Sequence, residues 1–170
     1  MKVVLKIVGY VFLAVVAVIV VGLIATAFVG REGMLTLVFG PVEEREIDFA
    51  TLRKTDKPNQ FLVCPLDVCV ETPDMVAPIY EMSATDLRDR WLAMLAEQPR
   101  VAQISADDEN MHYDFRQHTE LMRFPDTITV RFIPLGDTQS TLAVYSRSHY
   151  GHSDWGVNQK RVSAWLDALQ

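Results

Sequence analysis

The sequence predicts an α+β fold. It is a two-layer domain, an antiparallel sheet of about four strands with two helices on one side, preceded by one N-terminal transmembrane helix. Three observations predict it. Ile7 to Val29 is an uncharged apolar run of 23 residues. Two later segments carry apolar residues at a 3.6-residue period, and between them several short segments alternate with a period of two. A helix stripe and a sheet face must each be buried, so the two packed together form the smallest domain that satisfies both.

The apolar run comes first. At about 1.5 Å per residue, its helix is long enough to cross a hydrocarbon layer of roughly 30 Å. Lys2 and Lys6 precede it, and no acid occurs before Glu32. The excess of positive charge keeps that end cytoplasmic. The expected location is therefore the inner membrane, single-pass, with the N-terminus inside, the bilayer held through residues 7–29 and the C-terminal domain in the periplasm. A cleaved signal peptide is the rival reading, because Ala25-Thr26-Ala27 suits a small-residue cleavage site. Both readings export the domain. The division expected is an anchor over 1–30, a juxtamembrane linker over 31–57, and an exported domain over 58–170.

Within the domain, "FLVC" (61–64) reads as a short strand, and "VETPDMVAPIY" (70–80) as an extended stretch interrupted by Pro73 and Pro78. Ser83 can cap a helix, with Asp86 three residues on. Leu87, Trp91, Leu92 and Leu95 fall on one face of that helix, and Pro99 ends it. "RVAQIS" (100–105) is a strand. Met111, Tyr113 and Phe115 then alternate with His112, Asp114 and Arg116. Ile128, Val130 and Phe132 alternate with Thr129 and Arg131, and Leu142, Val144 and Ser146 with Ala143, Tyr145 and Arg147. Gly136 and Asp137 turn the last two of these strands into a hairpin. A closing helix from about Trp155 presents Val162, Trp165, Leu166 and Leu169 on one face.

Charge and cysteine content restrict the function. Without Lys2 and Lys6 the chain has 14 Lys+Arg against 22 Asp+Glu, a balance of −8. No basic block interleaved with aromatics occurs, so a nucleic-acid partner is not expected. In an oxidising compartment Cys64 and Cys69 are expected to bridge. A thioredoxin-like pair wants two intervening residues, whereas "CPLDVC" has four.

The stretch "SRSHYGHSDWGVNQKR" (146–161) concentrates the polar residues that could carry chemistry. One reading is structural. Gly151 turns the chain, Ser153 or Asp154 caps the helix, and Arg147 pairs with Asp154 or Asp126. Asn158 and Arg161 lie on one helical side. The other reading uses the same atoms as a ligand or anion site: Arg147, Ser148, Ser153, Asp154, Asn158 and Arg161 around a helix N-terminus. A metal has weak candidates in His149 and His152, with His112 and His118 on the first long strand, but no zinc spacing motif accompanies them. No cofactor is expected. Ser148, His149 and Asp154 lack a GxSxG elbow, and adjacent strand residues point to opposite faces, so a catalytic triad is not expected.

These segments carry a family resemblance. "FPDTITVRF" (124–132) and "SRSHYGHSDWGVNQKR" look like the signature segments of the DUF1499 family, and "NQFLVCP" (59–65) resembles its N-terminal element. The resemblance covers Pro58 to Leu169. Its most specific part is Ser146-Arg147-Ser148, Gly151, Ser153-Asp154, Gly156-Val157-Asn158 and Arg161. It implies one compact domain of unknown function, often placed behind a membrane segment or targeting peptide, and brings no reaction or ligand with it. His149 and Tyr150 stand where the family usually has a basic residue and a small aliphatic one. The function expected is a non-enzymatic interaction or envelope-maintenance module, with an envelope protein as partner. Two alternatives stay open. One is a binding module for a small apolar or amphiphilic ligand near the membrane. The other is an enzyme using Arg147, Asp154, Asn158 and Arg161.

Overall fold

The computed structural model describes residues 2–169. The chain divides into two compact units, Met1–Val42 and Glu43–Gln170. The first contains α1 (Lys2–Phe39), which is interrupted at Gly30, where φ is 77° and ψ 167°. Glycine carries no Cβ and tolerates that left-handed φ. The helix is long and apolar enough to cross a membrane, and none of its apolar window is buried. Two of its threonine hydroxyls bond within the helix: Thr26 donates to the Gly22 carbonyl at 2.7 Å and Thr36 to the Glu32 carbonyl at 3.0 Å.

The second unit is α+β. Its elements are β1 (Gln60–Cys64), β2 (Met75–Val76), α2 (Ala84–Ala96), β3 (Val101–Asp107), β4 (His112–His118), β5 (Pro125–Pro134), β6 (Ser140–Ser148) and α3 (Val157–Asp167). The sheet order is β2-β1-β6-β5-β4-β3. Six strands form it rather than about four, and it is mixed rather than antiparallel, because β2 pairs with β1 in parallel. That short strand is secured beyond its two residues. The Asp74 carboxylate accepts the Leu62 amide at 2.8 Å, and the Leu62 carbonyl accepts the Asp74 amide at 2.8 Å.

Alternation along the strands assigns the two faces. Phe61, Val63, Phe115, Ile128, Val130, Phe132, Leu142 and Val144 face α2 and α3 and form one core with Leu87, Trp91, Leu95, Val162, Trp165 and Leu166. Trp91 is wholly buried and meets Trp165 edge-on at 5.6 Å and Phe132 at 6.1 Å. Such edge-to-face pairs add about 0.5–1.5 kcal/mol beyond their buried area. Ser83 caps α2 as expected. Its hydroxyl accepts the Asp86 amide at 3.1 Å and donates to the Asp86 carboxylate at 2.7 Å.

The second face has its own smaller core. Leu62, Cys64, Ala143 and Tyr145 are covered by Ile47, Phe49 and Leu52. The 31–57 stretch expected to be a linker therefore contributes the end of α1 and then a packed segment. A sheet with apolar residues on both faces needs two covers, and the second is this segment. Full burial of three such side chains contributes roughly 1.5–3 kcal/mol each. A turn at Asp48 ends it, with the carboxylate accepting the Ala50 amide and the Thr51 hydroxyl. Cys64 and Cys69 stand at disulfide distance, their Cα atoms 6.2 Å apart, beside the same core.

Candidate functional site

The strand parity that separates the two cores also divides the polar stretch 146–161. Ser146 and Ser148 face the helices, whereas Arg147 and His149 face the other way. Two polar clusters result, one on each side of β6.

On the helix side, Arg161 reaches back from α3 to three strands. Its Nε donates to Gln117 at 2.6 Å and one terminal nitrogen donates to Asp126 at 2.5 Å. The other terminal nitrogen donates to Ser146 Oγ at 3.1 Å and Asn158 Oδ1 at 2.8 Å. The side chains of Arg161 and Asp126 are only 7% and 2% exposed. Asn158 is fully buried, and its amide nitrogen donates to the Asn59 carbonyl, Ser148 Oγ and Asp154 at 3.1, 3.0 and 2.7 Å. Ser146 Oγ donates to Asn158 Oδ1 at 2.5 Å. Asn59 in turn donates to the Gly151 carbonyl at 3.2 Å. The network fastens the end of β6, the start of β1 and the first turn of α3 together.

The cap differs from expectation. α3 starts at Val157, two residues later than Trp155, because Trp155 and Gly156 both have left-handed backbones with φ of 56° and 76°. Gly156 is the residue before the helix, and its missing side chain leaves the opening amides to Asp154. That carboxylate accepts the Gly156 amide at 3.0 Å and the Asn158 amide at 2.8 Å. Ser153 Oγ accepts only the Trp155 amide, at 3.3 Å. Neither arginine pairing expected for Arg147 occurs. Asp154 is spent on α3, and Asp126 pairs with Arg161. Ser148, His149 and Asp154 have no mutual geometry for nucleophilic catalysis.

The second face carries a row of directly paired residues on adjacent strands, Arg116, Thr127 and Arg147. His149 lies beside the row, its Nε2 2.6 Å from Thr127 Oγ1. Burial lowers the His149 pKa to about 4, and the neighbouring Arg147 and Arg116 push it the same way. Burial also lowers Arg147, with Arg45 adding repulsion. The 43–46 segment crosses this row. Glu44 pairs with Arg116, and the Glu43 carbonyl accepts from Arg147 at 3.3 Å. One pair farther along, Asp114 accepts from Ser105 at 2.6 Å and Thr129 at 2.5 Å. Glu44, Arg45, Ser105, Asp114 and Thr127 border an open groove of about 700 Å³, lined also by Ile47, His112 and Arg131 among others.

The histidines are dispersed. His112 packs against the Phe49 ring at 6.0 Å, His118 ends the same strand, His149 bonds Thr127, and His152 is exposed. His112 and His118 share a face, but six strand residues separate them by about 20 Å. Among the described residues no three His, Cys, Asp or Glu side chains converge to hold a metal. Sequence reasoning missed Glu44, Arg45, Arg116 and Thr127 as a group. The alternation of His112, Asp114 and Arg116 gave their face, but the row needs the register of three strands.

No relative among curated proteins matches the chain. A family model described as "Protein of unknown function (DUF1499)" matches residues 52–169. That span starts within the segment covering the second face and takes in every strand, both helices of the domain and the whole Asn158–Arg161 network. The chain belongs to the DUF1499 family.

Proposed function

We propose that the chain is a non-catalytic recognition module, exported to the periplasmic side and tethered to the inner membrane by α1. The observation that carries this is the commitment of the corner residues. Asp154, Asn158, Arg161 and Ser148 direct their polar atoms at one another and at Asn59, Asp126 and Gln117. An enzyme needs groups free to meet a substrate, and these hold the fold. The packing of Trp91 against Trp165 closes the space between sheet and helices, where a small amphiphile would have lain. An open polar groove lies on the second face, and it supports recognition there.

A photo-crosslinking residue at Ser105, inside the groove, tests this in living cells. The expected result is a discrete adduct from Ser105 and none from the same probe at exposed Arg90. No adduct from the groove would overturn the assignment. The tether is tested separately, by adding protease to cells with a permeabilised outer membrane. Digestion of the domain is expected, and a fully protected domain would refute the orientation.

A further inference from the structure

The second-face row is a concentration of positive charge in a chain whose net charge is −6. Arg116 and Arg147 come from strands two apart, about 10 Å between backbones, so both side chains can lean over Thr127. Arg45, on the overlying segment, lines the same groove as Glu44 and Thr127, and its charge adds to the repulsion felt by Arg147. Neutral His149, held by Thr127, adds no charge but closes one side. Three guanidinium groups brought this close repel one another unless an anion lies among them.

The chain supplies only part of that anion. Glu44 pairs with Arg116, yet its side chain is 59% exposed. Arg147 has a backbone carbonyl as its only hydrogen-bond acceptor, and among the described residues no carboxylate is in contact with it. The Nε atoms of both Arg116 and Arg147 are buried with no hydrogen-bond partner. A buried donor left without an acceptor is costly, because it has given up its bond to water. The contrast with Arg161 is instructive. That arginine sits deeper, and its Nε and both terminal nitrogens have acceptors. A planar fork with an unpaired Nε edge matches the two oxygens of a carboxylate or phosphate once the overlying segment gives way.

We propose that Arg45, Arg116 and Arg147 form a receptor for the oxyanion group, phosphate or carboxylate, of a soluble small molecule, and that Glu44 is the chain's own occupant, displaced when the ligand binds. An exposed ion pair is weak, so Glu44 is a weak competitor. This names the ligand chemistry of the recognition module and rests on that reading. The two fail separately, because crosslinking from Ser105 does not require the anion to be the element recognised.

The test uses the full chain, labelled with ¹⁵N-arginine, in neutral-detergent micelles. Sodium phosphate and sodium malonate are titrated against sodium chloride of equal ionic strength. The Nε–H resonances of Arg116 and Arg147 should shift saturably with phosphate or malonate and not with chloride. Glu44→Gln should lower the dissociation constant measurably, by up to about fivefold, because the internal competitor is neutralised. Arg147→Lys keeps the charge, loses the fork, and should weaken binding at least tenfold with an unchanged circular dichroism spectrum. Equal responses to chloride would mean simple screening and would overturn the proposal. Unchanged affinity in Glu44→Gln would also overturn it, leaving the row as a clamp for the 43–46 segment. A response confined to micelles doped with phosphatidylglycerol would place the anion on a lipid and overturn the soluble-ligand assignment.

Discussion

Arg161→Met is the most demanding test of the corner as a structural element. Methionine keeps much of the stem volume and removes the guanidinium. Asp126, 2% exposed, is then a buried charge with no partner, and Gln117, Ser146 and Asn158 each lose a donor. Breaking a buried pair from one side costs about 3–5 kcal/mol. Domains of this kind have about 5–15 kcal/mol of stability, so the variant should remain folded but lose a large fraction of it. At roughly 3–5 °C per kcal/mol, the midpoint should fall by about 10–20 °C. Urea unfolding followed through Trp91 and Trp165, both in the core, measures the loss directly. The double variant Asp126→Leu/Arg161→Met removes both charges and should recover at least ~2 kcal/mol relative to Arg161→Met, because the uncompensated carboxylate is the main cost. A loss below about 1 kcal/mol in Arg161→Met, at unchanged urea dependence, would refute the reasoning and free the guanidinium for a ligand.

Other parts of the structure make independent predictions. Replacing Cys64 and Cys69 together by serine should cost about 2 kcal/mol, since the bridged loop is short and chain entropy grows slowly with loop length; a stability equal to the parent's in urea would show that the bridge contributes nothing. His149 has a pKa lowered to about 4 by burial, then by Arg147 and Arg116. The fold therefore disfavours its charged form, and its contribution is present above the unfolded value near 6.5 and lost as pH falls from there towards 4. His149→Gln should flatten the decline of the urea midpoint between pH 6.5 and 5, and a ring titrating near 6.5 by NMR would contradict the account. Gly156→Ala meets no atom within 4 Å but must keep φ near 76°, so thermal unfolding should show a loss of roughly 1–2 kcal/mol; a neutral result would mean the backbone there can relax.

Legibility in the sequence followed the range of the interaction. The two helix faces could be read because a 3.6-residue period is local: Leu87, Trp91 and Leu95, then Val162, Trp165 and Leu166, are the residues that reach the core. The three strands β4, β5 and β6 were visible for the same reason, through alternation. β2 was not, since Met75 and Val76 lie between Pro73 and Pro78 and form a strand only by hydrogen bonds to β1. The packing of the 43–52 segment was not legible for a different reason. "EEREIDFATL" has the charge of a linker, and Ile47, Phe49 and Leu52 become buried only because the sheet has an uncovered second face.

The polar stretch 146–161 shows the same limit at the scale of one residue. Its composition suggested a single cluster, and both readings of it placed Arg147 with Asp154. A strand side chain has no choice of face, however. Once Leu142 and Val144 face the helices, Ser146 and Ser148 must do so too, and Arg147 must not. That parity was present in the alternation of β6 and was sufficient to separate Arg147 from Arg161. Alternation alone could not supply the partners. Asp126 is apposed to Ser148 by strand register, and Arg161 reaches it only because α3 begins at Val157. Two left-handed residues, Trp155 and Gly156, set that start and leave Trp155 88% exposed. The corner is thus built by backbone conformation first and charge second. One arginine of the stretch ends saturated within the fold, while the other lies on the second face with its Nε unpaired.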